Sequence, residues 1–361
     1  MPKGKPESFF FRFMKTSDFS FDLPKNLIAQ YPSKERGQSR LLVMNRAKGL
    51  IQHRMLGDLP LILEKGTLMV FNNSRVRRAR LLGQSMETGA KAEFLLLNKV
   101  DGSPLVWKAM AQRAKRRRPG SRYTFPGGLE AQIIAAEGEY RFLEFTEAVD
   151  DGWLDIHGHV PLPEYIKRAD TDFDAERYQT IYAAEHGSAA APTAGIHFTR
   201  ELLAALEKAG METVFITLHV GLGTFLPVRS ENLEDHKMHE ESFSLSEDAA
   251  SRIEKAKKEG RKILAVGTTS VRTLESAWQE DSGNPGGGRF KRGEWKTSIF
   301  IYPGYAFKTV DMLFTNFHTP GSTLLMLVCA FAGRDFILET YKEAVREGYR
   351  FYSYGDACLI Q

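Results

Sequence analysis

Five short stretches of this chain combine small residues, hydroxyls, amides and imidazoles in ways that suit proton transfer and the holding of anions. In AAAPTAGIHFTRELL (189–203) the side chains shrink to alanine, proline, threonine and glycine before His197 is presented. Gly195 and the alanines permit a ligand to approach the backbone. Thr193 offers a hydroxyl, and His197 an imidazole that ordinarily titrates near neutrality; a tight loop around a structural histidine is the other reading. In TLHVGLGTFLPV, His219 ends an apolar strand and Gly221 and Gly223 follow. The third glycine of a dinucleotide-binding fingerprint is missing and no helix follows, so a Rossmann loop is a poor match. ILAVGTTSVRTLES sets Thr268, Thr269 and Ser270 between a buried strand and a helix start, with Arg272 one turn in. Such a junction can hold a carboxylate or another anion on hydroxyls and free N–H groups, at the strand end where α/β sheets bind ligands. FTNFHTPGSTLL brings Asn316 and His318 off a further strand, and YRFYSYGDACLI crowds Tyr352, Tyr354 and Asp356 into a C-terminus that would otherwise fray. A sixth stretch, DHKMHEE, carries His236, His239, Glu240 and Glu241 but lacks HExxH spacing and any cysteine set, so no metal site is expected.

Two basic runs stand apart from these. RVRRAR (75–80) and QRAKRRRPG (112–120) together hold nine Arg and Lys, among them Arg75, Arg77, Arg78, Arg116, Arg117 and Arg118. They are candidates for phosphate contacts to a nucleic acid, or else a solvated face. The total charge of +4 over 361 residues decides nothing, so it is the placement of charge that informs. The length allows two or three domains. The two cysteines exclude a disulfide framework; Cys329, inside TLLMLVCAF, reads as a buried thiol that suits a reducing cytoplasm. No apolar run reaches the roughly 20 residues of a membrane span. The Phe-rich start is broken by Arg12 and has no nearby cleavage site, so 1–13 reads as an extension.

The elements that must position these residues fall into two textures. From about 74 to 158 short apolar runs, several of them alternating, recur between turn residues, which predicts an inserted antiparallel β-barrel domain. On either side, over 14–73 and 159–361, strands and amphipathic helices alternate, which predicts an α/β domain with a largely parallel sheet. LPKNLIAQYP reads as a short helix stopped before Pro32. TRELLAALEKAG reads as a helix with Leu202, Leu203 and Leu206 on one face and Gly210 as its stop. SEDAASRIEKAKKEG reads as a helix capped by Ser246 and closed by Gly260. TSIFIY and MLFTNF read as the last strands, and the predicted fold class is α/β with a β-barrel insert.

In this order FNNSRV, APTAGIHF, TLHVGLGTF, HKMHEE, VGTTSVRTLES, FIYPGY, TNFH, STLLMLV, FAGR and YSYGDA resemble the S-adenosylmethionine:tRNA ribosyltransferase-isomerase family of the queuosine pathway, from about Met14 to Ile360. The insert matches only in texture, and Gly321 stands where the family pattern suggests lysine. The resemblance implies a barrel-like α/β main domain, a monomer and no metal. It implies S-adenosylmethionine as a consumed co-substrate rather than a retained cofactor, and tRNA bearing 7-aminomethyl-7-deazaguanine at the wobble position as partner. It implies that His197, His219 and His318 are the acid/base candidates. Thr193, Gly195, Gly221, Gly223, Thr268, Thr269, Ser270 and Arg272 would hold substrate, Asn316 and Asp356 would orient it, and Tyr352 or Tyr354 would stack on a flipped base. An ordinary methyltransferase would want a glycine loop after the first strand, which LLVMNRAKG does not supply.

Overall fold

The computed structural model describes residues 14–221, 228, 230–281, 283 and 287–361, so the expected extension 1–13 and Gly223 lie outside the described residues. The chain starts with β1 (Arg40–Asn45), β2 (Leu50–Met55), α1 (Leu59–Ile62), β3 (Leu68–Asn72) and β4 (Ser74–Val76). Next come β5 (Arg80–Ser85), β6 (Lys91–Val100), β7 (Ser103–Ala111), β8 (Arg122–Thr124), β9 (Glu130–Glu137) and β10 (Tyr140–Phe145). Helices α2 (Asp151–His157) and α3 (Asp172–Arg177) lead to β11 (Glu185–Ser188), α4 (Arg200–Lys208) and β12 (Glu212–Leu218). Then follow β13 (Glu241–Leu245), α5 (Glu247–Lys258), β14 (Ile263–Val266), α6 (Thr268–Ala277), β15 (Trp278–Glu280), β16 (Gly288–Phe290) and β17 (Gly293–Thr297). The chain closes with β18 (Met312–Asn316), α7 (Thr323–Ala332), α8 (Arg334–Arg346) and β19 (Ala357–Ile360).

Nine strands form one mixed sheet in the order β17-β13-β12-β3-β14-β18-β19-β1-β2. The expectation of a largely parallel sheet holds for its centre, where β12, β3, β14 and β18 are parallel neighbours. Antiparallel neighbours flank it, and the order has two ends, β17 and β2. The central strands are buried on both faces, which is why they read as unbroken apolar runs. Leu68, Val70, Ile263 and Ala265 belong to the larger core, while Met69, Phe71, Leu264 and Val266 face the smaller one. Helices α5, α6, α7 and α8 contribute to the first core, α1 and α4 to the second.

Strands β5 to β10 close into an antiparallel barrel, β10-β7-β6-β5-β8-β9. Its interior follows the period of two: Ala92, Phe94 and Leu96 of β6 point in, with Trp107, Tyr123 and Phe145 filling the rest. Ser74–Val76 pairs instead with β11, parallel and outside the barrel.

Some elements differ from expectation. LPKNLIAQYP forms only a 3-10 turn, Lys25–Leu27. TSIFIY contributes no strand beyond Thr297: it is Gly293–Thr297 that pairs with β13, and the apolar run after it packs as irregular chain against the larger core. Cys329 and Cys358 are both buried thiols. Among the described residues no helix is long and apolar enough to cross a membrane.

Candidate active site

The carboxyl ends of β14 and β18 adjoin, and the segment leading to His197 passes over them. Gly267 follows β14 at φ +91, where a Cβ would lie 3.4 Å from that of Ala194. Gly267 is also the N-cap of α6, so none of the three following hydroxyls caps the helix. Ser270 Oγ donates to Val266 O at 2.8 Å, whereas Thr269 Oγ1 is buried without a partner among the described residues. At the head of α7 Ser322 is the cap, accepting from Leu325 N, and Thr323 Oγ1 is likewise buried with no partner among the described residues. Thr193, Thr268, Thr269, Thr315 and His318 line one narrow cleft of about 20 Å³ here, with Ala191–Ala194 as its far wall.

His197 is a hydrogen-bonded hub rather than an open base. Its Nδ1 lies 2.7 Å from Ser39 Oγ and its Nε2 2.9 Å from Asn316 Nδ2. An amide nitrogen only donates, so Nε2 accepts and Nδ1 carries the proton to Ser39. Burial, reinforced by Arg350 and Arg36, pulls its pKa down to about 3, leaving a neutral ring. Asn316 Nδ2 also donates to Tyr352 O at 3.2 Å, while Asn316 Oδ1 is buried with no partner among the described residues. His318 is held similarly: Nε2 sits 2.9 Å from Thr315 Oγ1, and burial lowers its pKa to about 3. His219 differs. It is half-buried, and burial and then the Arg77 charge lower its pKa; its Nδ1 is buried without a partner among the described residues, facing Gly187, where a Cβ would come within 2.9 Å.

Several residues read as ligand-facing turn out to be engaged within the protein. A Cβ on Gly195 would lie 2.1 Å from the Tyr182 hydroxyl, so the bareness there makes room for Tyr182 rather than for a ligand. Asp356 accepts from the backbone N–H of Arg40 at 3.0 Å and of Arg350 at 2.8 Å, bracing the C-terminal turn. Tyr354 is 3% exposed and donates to Asp174 at 2.7 Å, which leaves it no face for stacking. Asp174 in turn takes a bidentate pair from Arg168, at 2.6 and 2.8 Å. Tyr352 sits at φ +72, a left-handed conformation uncommon outside glycine, with its ring on Tyr165 at 4.5 Å. Arg272 makes a buried ion pair with Glu241, whose other oxygen accepts from Gly221 N at 2.8 Å. Ser39 thus enters the site although nothing in its neighbourhood marked it, while Glu241 and Thr315 enter from stretches that were singled out for other residues or another role. His236, His239, Glu240 and Glu241 form no metal-holding group of three, nor does any other set among the described residues.

A cavity of about 470 Å³ opens where the barrel meets the main sheet, with Leu95 and Met110 on the barrel side, Leu162, Tyr165 and Arg168 opposite, and Ala190 in its wall. Its volume falls in the range of small-molecule sites. Gln112, also in its lining, leads into the second basic run, where Arg116 and Arg118 are exposed and Arg117 donates to Lys91 O at 2.9 Å. In the first run Arg75 is exposed, Arg77 pairs with Asp151, and Arg78 donates to Asp155 O and Gly158 O.

Residues 16–360 match a family described as queuosine biosynthesis protein. The S-adenosylmethionine:tRNA ribosyltransferase-isomerase of Treponema denticola is 54% identical over 352 residues, covering 96% of this chain and 100% of the relative. That of Borreliella afzelii is 48% identical over 350 residues, covering 96% and 99%. The crystal structure of S-adenosylmethionine tRNA ribosyltransferase from Thermotoga maritima is 33% identical and aligns over 96% of this chain and 100% of that one, with a TM-score of 0.53. The chain therefore belongs to the queuosine biosynthesis family, as an S-adenosylmethionine:tRNA ribosyltransferase-isomerase.

Proposed function

We propose that ribosyl transfer takes place where the Ala189–His197 segment crosses the ends of β14 and β18. The ribosyl part of S-adenosylmethionine moves onto the aminomethyl group of 7-aminomethyl-7-deazaguanine at the tRNA wobble position. Epoxyqueuosine forms, adenine and methionine leave, and S-adenosylmethionine is consumed rather than retained. The observation that carries this placement is a set of polar atoms, buried without a partner among the described residues, at the end of β18 and at the heads of α6 and α7: Asn316 Oδ1, Thr269 Oγ1 and Thr323 Oγ1. A buried polar group without a partner costs about 1–3 kcal/mol, and a ligand bearing hydroxyls, an amine and a carboxylate removes that cost.

The reaction needs three proton movements: from the C5′ acidified by sulfonium, to the departing adenine, and from the attacking aminomethyl nitrogen. A proton carrier works best with a pKa near the working pH. His219, with its unpaired Nδ1, is assigned that role. His197 and His318, both neutral, act as positioning residues: His197 aims Asn316, whose Oδ1 accepts from a ligand amine or hydroxyl. Thr193, Thr268 and Thr269 bind the ribosyl hydroxyls or the methionine carboxylate, and Arg272 acts on this face through Glu241. The narrow cleft must widen for an adenosyl group, while the larger cavity at the barrel junction takes the flipped base. Residues 14–73 with 159–361 serve as the catalytic domain and 74–158 as the barrel that grips tRNA, with Arg75, Arg116 and Arg118 on phosphates; a monomer suffices.

Incubation with S-adenosylmethionine and precursor-bearing tRNA, read by mass spectrometry, is expected to give free adenine, methionine and epoxyqueuosine in the digested tRNA. S-adenosylhomocysteine and a methylated nucleoside would overturn the reaction; tRNA binding with no adenine release would reduce the chain to an RNA-binding protein.

A further inference from the structure

Two arginines meet at the end of the Thr193–His197 turn, and all their hydrogen bonds among the described residues go to backbone carbonyls. Arg36, from the segment before β1, donates through Nη1 to Gln179 O and Ile196 O at 2.9 Å each and through Nη2 to Glu176 O at 3.2 Å. Arg177, at the end of α3, donates through Nη1 to Ser33 O at 2.9 Å and Lys34 O at 3.2 Å. These bonds staple the two segments together, yet they neutralise neither charge. Arg177 is only 7% exposed, and its Nε is buried with no partner among the described residues. Burial and the neighbouring Arg177 charge both weaken the hold of Arg36 on its proton; the carboxylate acting on the pair is that of the exposed Glu176. Desolvated guanidinium without a close counter-charge is an expensive arrangement. Both side chains line one notch, with Ser33, Gly37, Ser39 and His197.

We propose that this notch is a subsite for a backbone phosphodiester of the tRNA substrate. A guanidinium fork matches the paired oxygens of phosphate or carboxylate, so the shared chemistry is a singly charged oxyanion. Two sources could supply it, the tRNA backbone or the methionine carboxylate. The geometry favours the backbone. Ser39, on the notch, meets the Nδ1 edge of His197, while Asn316, at the end of β18, meets its Nε2 edge. The imidazole therefore stands between the notch and the strand ends, and a ligand held at those ends is cut off from it. A phosphodiester arriving from solvent is not, and once seated it is one ring away from the reacting face. This inference deepens the tRNA reading above and rests on it.

The test uses the full chain with Arg177→Gln, Arg177→Lys and Arg36→Gln. It measures dissociation constants for precursor tRNA between 50 and 200 mM salt and for S-adenosylmethionine alone, alongside thermal unfolding. Each neutral variant is expected to lower the slope of log affinity against log salt by about 0.7, the value for one phosphate contact to a single strand. Affinity at the lowest salt should fall about tenfold, with S-adenosylmethionine binding unchanged, and Arg177→Lys should keep the wild-type slope. An unchanged slope in folded Arg177→Gln and Arg36→Gln would overturn the subsite and leave the arginines as staples. Weakened S-adenosylmethionine binding at an unchanged slope would overturn it in favour of the carboxylate. Wild-type protein that neither binds tRNA nor releases adenine would instead sink the underlying functional reading.

Discussion

A His197→Gln enzyme is expected to release adenine about a hundredfold more slowly than the wild type, with the shape of its pH profile unchanged. Both ring nitrogens of His197 are engaged, by Ser39 and by Asn316, and the ring stays neutral because its pKa is pulled down to about 3. Such a group carries no proton through the catalytic cycle near neutrality. What its loss removes is the aim of Asn316, and misplacing a substrate-positioning group by about 1 Å can cost a hundredfold. Adenine release measured by quenched flow from pH 5.5 to 9 decides the matter. A wild-type limb near pH 6.5 that vanishes in the variant would show that His197 itself moves a proton. The same depressed pKa has a consequence for stability. The unfolded chain takes up this proton near pH 6.5 and the native chain only near 3. The contribution is thus whole above pH 6.5 and shrinks as pH falls towards 3, by about 1.4 kcal/mol per pH unit for this one group. His197→Gln should lose that part of the acid dependence.

The largest effect on stability is expected from Arg272→Met. Its partner Glu241 is buried to the same degree, so the substitution takes the paired cation away from a carboxylate that is 4% exposed. Breaking a buried pair from one side costs about 3–5 kcal/mol, whereas replacing both partners is often close to neutral. Against a total stability of about 5–15 kcal/mol the single change approaches unfolding. Arg272→Met with Glu241→Gln should recover most of the loss, because glutamine still offers the Gly221 N–H an acceptor. Urea unfolding of the two variants and the wild type measures this. A single variant within about 1 kcal/mol of the wild type would mean that the pair does not brace the site.

The six barrel strands were legible because each run is short and bounded by turn residues, and several alternate. Ser246 and Gly260 marked α5 correctly because capping is local chemistry: Ser246 accepts from Ala249 N, and Gly260 takes φ +68. TSIFIY misled because apolar residues packed on a core need not pair as a strand. The convergence of Thr193, Thr268, Thr269 and His318 on one cleft was legible as strand-end chemistry. The functions of Gly195 and Asp356 were not, since their partners, Tyr182 in the one case and the amides of Arg40 and Arg350 in the other, are set by tertiary contacts that no spacing reveals. Gly321 has a local reason to be glycine here: it follows Pro320 at φ +66 in a turn closed by Ser322 N donating to Thr319 O at 3.3 Å.

The central claim is that the ends of β14 and β18 hold S-adenosylmethionine, and Thr269→Val tests it most directly. Thr269 Oγ1 is buried with no partner among the described residues, so removing it should leave the melting temperature equal or higher. If the hydroxyl waits for the ligand, the dissociation constant for S-adenosylmethionine, measured by equilibrium dialysis, should rise about tenfold, or about 1.4 kcal/mol, with tRNA affinity unchanged. An unchanged constant in a folded Thr269→Val protein would contradict the placement of the site.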